Sequence, residues 1–199
     1  EAKVYPVTID FYHSYSPVFS PDGKFLYFLS DRVANPHLDG REMTYILDRR
    51  TQPFAVSLKS GEKLPFVPES DPKSEDDEKE NDDKDKSKEN ESEAPVKVEI
   101  DFTGLADRIA PFPIPAGNYS ALRSTKDRVF FLSTENEGML GTGIFDEEPE
   151  AGYNLNCFNI AKKKMKTVAE SVKGYSLSSD GKRLIYRTKD DFLIIGTDE

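Results

Sequence analysis

Tryptophan is absent from this chain of 199 residues, cysteine occurs once and histidine twice. The single thiol, Cys157, cannot close an internal disulfide, and with only His13 and His37 beside it there is no ligand set for structural zinc or an iron–sulfur cluster. Long apolar runs are missing as well. No stretch reaches the roughly 18 apolar residues that cross a bilayer, and the first ten residues lack the basic and apolar regions of a signal peptide. An exported precursor whose leader has been removed stays compatible with this beginning. Excess positive charge is lacking too: 37 Asp+Glu stand against 27 Lys+Arg, a net charge of −10. Phosphate backbones are bound by clustered Lys and Arg that release counterions, so the balance argues against nucleic acid as a partner, and the missing spans argue against a membrane.

The acidity is concentrated in one place. From Glu69 to Glu93 there are 13 acidic residues, 5 lysines and no aliphatic, aromatic or cysteine side chain, a net −8 that leaves −2 for everything else. Ordering a residue costs roughly 1–2 kcal/mol, and a segment with nothing apolar to bury has no means of offsetting that. The composition therefore predicts a solvated, disordered insertion over residues 69–94 in a chain that is otherwise one unit, 1–199. A tolerated surface loop is its plain reading; an acidic arm for a basic partner is the functional one.

What remains reads as short strands and turns. Val18-Phe19-Ser20 runs through Pro21-Asp22-Gly23-Lys24 into Phe25-Leu26-Tyr27-Phe28-Leu29-Ser30, and Asp22-Gly23 supplies the positive φ of a tight hairpin. The same pattern returns at Tyr175 to Tyr186, through Ser179-Asp180-Gly181-Lys182, and again at Tyr119 to Ser133, through Thr125-Lys126-Asp127. A second element also repeats: Val7-Thr8-Ile9-Asp10-Phe11 matches Val98-Glu99-Ile100-Asp101-Phe102. Further strands are expected at Pro53 to Leu58, Tyr153 to Asn159, Lys166 to Ala169 and Phe192 to Ile195. The best helical candidate, Asn159 to Lys173, has almost no apolar face beyond Val168 and Val172 and is given one turn at most.

Four short antiparallel strands every ~40–50 residues are the pattern of β-propeller blades. A four-stranded sheet has two faces to cover, and stacking such sheets around an axis covers both, which explains central strands as apolar as Phe25 to Leu29. Without the insertion the chain has length for roughly three to four blades, so the expected fold is all-β and an incomplete propeller with sheet faces or edges left bare.

The stretch Ser20-Pro21-Asp22-Gly23-Lys24, followed by an apolar strand and Ser30-Asp31-Arg32, resembles the TolB-type propeller repeat. More specifically, Val98 to Ile109 continuing through Pro113-Ile114-Pro115-Ala116-Gly117-Asn118-Tyr119 resembles the seven-bladed propeller of tricorn-type proteases, with residues 96 to 136 the most distinctive part. That resemblance implies a parent protein that is a large, oligomeric, cytoplasmic serine peptidase trimming oligopeptides. In such a protein the propeller filters unfolded oligopeptides towards a catalytic core carried elsewhere. The partners it implies are the remaining blades, that core, and further copies of the parent. A stand-alone TolB-type scaffold for proteins or peptides is the alternative, and a propeller attached to a prolyl-oligopeptidase-type hydrolase is a weaker third.

No catalytic, cofactor-binding or metal residue is assigned from the sequence. His13, among Tyr12, Ser14 and Tyr15, and His37, after Pro36, read as ordinary loop residues with no nucleophile and orienting group in evident register. Gly174-Tyr175-Ser176-Leu177-Ser178 lacks the second glycine of a nucleophile elbow. Gly141-Thr142-Gly143 lacks the third glycine of a dinucleotide fingerprint. Pro149 interrupts Asp146, Glu147, Glu148 and Glu150, whose spacing fits no calcium loop. Asp39-Gly40-Arg41-Glu42 reads as a turn and Cys157 as a small core residue. Asn118-Tyr119-Ser120 and Asn90-Glu91-Ser92 match a glycosylation sequon too short to localise the protein.

Overall fold

A computed structural model describes residues 3–8, 11–34, 36–38, 40, 43, 45–66, 96–135 and 152–198. The acidic insertion 69–94, Gly141-Thr142-Gly143, the carboxylates at 146–150, Asn90-Glu91-Ser92 and most of the 39–42 turn lie outside the described residues.

Thirteen strands are described: β1 Ser14–Phe19, β2 Phe25–Ser30, β3 Pro36–Leu38, β4 Tyr45–Leu47, β5 Gln52–Ser57, β6 Ile109–Pro111, β7 Asn118–Ser124, β8 Arg128–Thr134, β9 Tyr153–Asn159, β10 Lys164–Val172, β11 Gly174–Leu177, β12 Arg183–Arg187 and β13 Phe192–Gly196. All pairings are antiparallel. Sheet I has the order β1-β2-β5-β6, sheet II runs β7-β8-β9-β10, and sheet III holds β11-β12-β13. These are the expected blades, and the estimate of three to four resolves into two four-stranded sheets and one of three strands among the described residues. Chain length overstates the number because residues 31–51 include the separate hairpin β3-β4, and the described residues 58–66 and 96–108 run outside the ladders. The lysine-rich 159–173 segment is a turn followed by β10, in which Val172 is buried and the lysines face water.

Side-chain alternation assigns each sheet face to a neighbour. In β2, Tyr27 and Leu29 point towards sheet II and join Tyr119, Leu122, Val129, Phe131 and Phe158 in one core. In β8 the next residues along, Phe130 and Leu132, point the other way, with Leu155 and Cys157, against Leu184, Tyr186 and Ile195 of sheet III. Each interface is therefore built from alternate residues of the same strands. The remaining face of sheet I, with Phe28, Phe54 and Val56, is covered by Leu105, Val7 and Ile100. This corrects the reading of the Val7 and Val98 repeats as blade elements. Among the described residues neither segment forms a strand; Asp101 N donates to Leu58 O and Asp101 Oδ2 accepts from Ser60 N, which ties the second copy beside sheet I.

The two Ser-x-Asp-Gly turns are built alike. Ser20 Oγ donates to Asp22 Oδ1 at 2.5 Å and accepts from Phe25 N at 2.9 Å; Ser178 Oγ does the same with Asp180 Oδ1 and Arg183 N at 2.5 and 2.9 Å. The Ser178 hydroxyl and then the Lys182 backbone N–H hold the Asp180 carboxyl below the ordinary aspartate range. Gly23 and Gly181 take φ of 69° and 68°, as Asp-Gly predicts. A Cβ on Gly23 would also meet Val96 Cγ1 at 3.0 Å, where the chain returns from the acidic insertion. Gly181→Ala is expected to cost about 1 kcal/mol from the left-handed backbone alone, and Gly23→Ala about 1–2 kcal/mol because of that added contact. Paired denaturant titrations check the order of the two.

Candidate functional site

Register places three residues in equivalent positions. Ser20 N to Phe25 O, Thr125 N to Arg128 O and Ser178 N to Arg183 O close the first hairpin of the three sheets. Two residues beyond each closing residue stand Tyr27, Phe130 and Ile185. Tyr27 and Phe130 are 1% and 2% exposed because the following sheet covers them, whereas Ile185 is 37% exposed. Its cross-strand partner Ile194 is 68% exposed and nearby Phe192 72%. Among the described residues β13 pairs only with β12, so sheet III lacks an outer strand. The bare face holds a shallow cleft of about 280 Å³ lined by Gly174, Ser176, Ile185, Arg187 and Phe192. Its chemistry is that of a packing surface, aliphatic and aromatic, with two cationic residues, Lys173 and Arg187, at the rim.

Two tyrosines at hairpin starts link neighbouring sheets. Tyr15 OH lies 3.0 Å from Thr51 Oγ1 in its own sheet and 3.3 Å from the carbonyl of Tyr119 in the next. Tyr175 OH reaches back to the carbonyls of Ala121 and, at 2.8 Å, Phe130. Burial pushes the Tyr175 phenol pKa up, so it serves as a neutral donor. The repeat of tyrosine before each hairpin was visible in the sequence; its role between sheets was not.

Arg108 is the other residue that sequence reasoning left unassigned. It closes the 3-10 turn Leu105–Arg108 and aims its guanidinium at backbone carbonyls: Nε to Ser57 O at 3.0 Å, Nη1 to Thr103 O at 2.8 Å, Nη2 to Asp101 O at 2.5 Å. It thereby fastens the distinctive 98–109 stretch to the end of β5.

The two histidines belong to different parts of the fold. His13 is 75% exposed, its Nδ1 3.6 Å from Asp31 Oδ2, and the adjacent Ser14 Oγ is engaged with Ser30 Oγ at 2.9 Å. His37 falls in β3, a strand of a hairpin and not the loop expected for it. Cys157 sits buried in β9, where burial raises its thiol pKa. Asn118 of the sequon is the first residue of β7 and pairs with Thr134. Gly174-Tyr175-Ser176 lies in β11, an extended strand and not an elbow. Among the described residues no three His, Cys, Asp or Glu side chains are gathered as for a metal ion, and no helix is long and apolar enough to cross a membrane.

Comparison with known proteins agrees with this geometry. The solved structure of the tricorn protease superposes on 98% of the chain with a TM-score of 0.72 at 21% identity, covering 17% of that chain. The tricorn protease homolog 1 of Streptomyces coelicolor is 32% identical over 188 residues, 94% of this chain and 17% of its own length. The tricorn protease homolog of Saccharolobus solfataricus is 26% identical over 190 residues, 96% of this chain and 15% of its own. The chain thus spans less than a fifth of the curated relatives it matches. The family described as the tricorn protease second beta propeller domain matches residues 1–198, and the chain belongs to that family.

Proposed function

We propose that this chain is a noncatalytic propeller segment of a larger, oligomeric, tricorn-like serine peptidase that degrades oligopeptides in the cytoplasm. Within it, the segment acts in the admission and filtering of unfolded peptides or in assembly. The observation that carries the reading is the bare face of sheet III: Ile185, Ile194 and Phe192 stand where the first two sheets are covered by their successors, so a further blade from the same protein completes the stack.

The test uses the whole peptidase. Ile194→Asp places a charge in the buried joint between blades, and it is expected to lower peptidase activity at least about tenfold and to release subunits or expose the propeller to limited proteolysis. Unchanged activity and unchanged proteolysis would contradict the role. Covalent labelling of the same protein by a fluorophosphonate distinguishes the stand-alone scaffold: a serine peptidase is labelled, a scaffold is not.

A further inference from the structure

We propose that Arg32, seated on a platform of Tyr12, Phe28 and Phe54, is a receptor for a single carboxylate group supplied by another molecule. Its guanidinium carbon lies 4.8 Å from the centre of the Phe54 ring, 5.5 Å from Tyr12 and 5.6 Å from Phe28. Rings at these distances hold the guanidinium by cation–π attraction and limit the directions from which a partner arrives. Its Nε is committed, donating to Ser30 Oγ at 3.2 Å. Ser30 is fully buried and is itself fixed, because its hydroxyl donates to His13 O at 3.3 Å and lies 2.9 Å from Ser14 Oγ. The fork is therefore oriented from behind, and among the described residues its two terminal nitrogens are the donors left over.

The nearest carboxylate in sequence is turned elsewhere. Asp31 Oδ1 accepts from Thr51 Oγ1 at 2.7 Å, and its Oδ2 faces His13 Nδ1. Among the described residues no Asp or Glu comes within ion-pair distance of Arg32. Burial lowers the pKa of its guanidinium from the usual arginine value, the sign of a partly desolvated cation, with Tyr12 acting in the opposite direction. An oriented, uncompensated guanidinium matches a carboxylate bidentately, with two parallel N–H···O bonds. A single cation in a protein of net charge −10 favours a monoanion over a phosphate dianion. The carboxylate has two sources, the free C-terminus of a peptide or an Asp or Glu side chain of a neighbouring protein surface. This assignment rests on the Arg32 geometry and not on the peptidase reading.

Fluorescence anisotropy with three N-terminally labelled peptides of one length separates the cases: one with a free C-terminal carboxylate, one C-terminally amidated carrying a single Glu, and one amidated and neutral. The protein is expected to bind one of the two acidic peptides at least about tenfold more tightly than the neutral one, the free acid pointing to chain ends and the Glu peptide to a protein surface. Arg32→Gln removes that preference. Arg32→Lys keeps the charge without the fork and retains only part of it, which reports on the site even if the glutamine variant folds poorly. Equal binding of acidic and neutral peptides, no binding of any at about 10 mM, or a preference that survives in Arg32→Gln would overturn the assignment.

Discussion

Replacing Phe112 by alanine is expected to destabilise the chain by about 3–5 kcal/mol, among the largest costs of any single substitution here. Phe112 follows β6, is fully buried, and is anchored by its N–H to Pro53 O at 2.9 Å. Its ring lies 5.7 Å from that of Tyr27, 4.4 Å from Phe66 and 5.0 Å from Phe158. It is thus the ring at which sheet I, the segment leading to the acidic insertion and sheet II converge. Alanine would leave a cavity among residues belonging to three separate pieces of chain, with no one of them free to collapse into it. Phe112→Leu keeps most of the volume and is expected to cost about 1–1.5 kcal/mol. Equilibrium urea unfolding of the three proteins gives both numbers, and a Phe112→Ala loss under about 1 kcal/mol would mean that the interface between sheets is not the principal core.

Arg108→Ala is expected to cost about 2–3 kcal/mol, because hydrogen bonds from a charged donor contribute ~1.5–3 kcal/mol each and several are lost from a site that water partly refills. Ser57, whose carbonyl accepts from Nε, is itself buried at 1% exposure. Lysine cannot reproduce the fork, so Arg108→Lys should recover only a small part. Hydrogen exchange gives the local readout: the Asp101 amide, bonded to Leu58 O at 2.8 Å, should exchange faster in Arg108→Ala, while amides of β8 and β9 change only with global stability. A uniform change across all amides would assign Arg108 no special hold on the 98–109 stretch.

The blade strands were legible because two local signals coincide in them. Apolar runs such as Phe25 to Leu29 and Val129 to Leu132 are bounded by turns whose chemistry is local, and Asp22-Gly23 and Asp180-Gly181 take the positive φ that their composition demands. Three-residue strands such as β3, β4 and β6 gave no such signal. β6, Ile109–Pro111, is a strand because Val56, Ala55 and Phe54 pair with it across about fifty residues of intervening chain. The Val7 and Ile100 repeats misled for a related reason: burial beside a sheet and burial within one select the same residues, and only the hydrogen-bond ladder separates them. The exposed face of sheet III was anticipated as a kind of surface, yet its residues became nameable only once register showed Ile185 in the place of Tyr27 and Phe130. The setting of Arg32 was not legible at all, since three rings meet there from Tyr12, β2 and β5.

The most direct measurement is thiol labelling at one position in two settings. Ile194→Cys is made in the 199-residue chain alone and in the complete peptidase, with buried Cys157 as the internal reference. Stacking of a further blade on sheet III predicts rapid modification in the short chain and modification slower by about a hundredfold in the complete protein, where the thiol reacts only through local opening. Equal, rapid labelling in both would show that nothing covers this face.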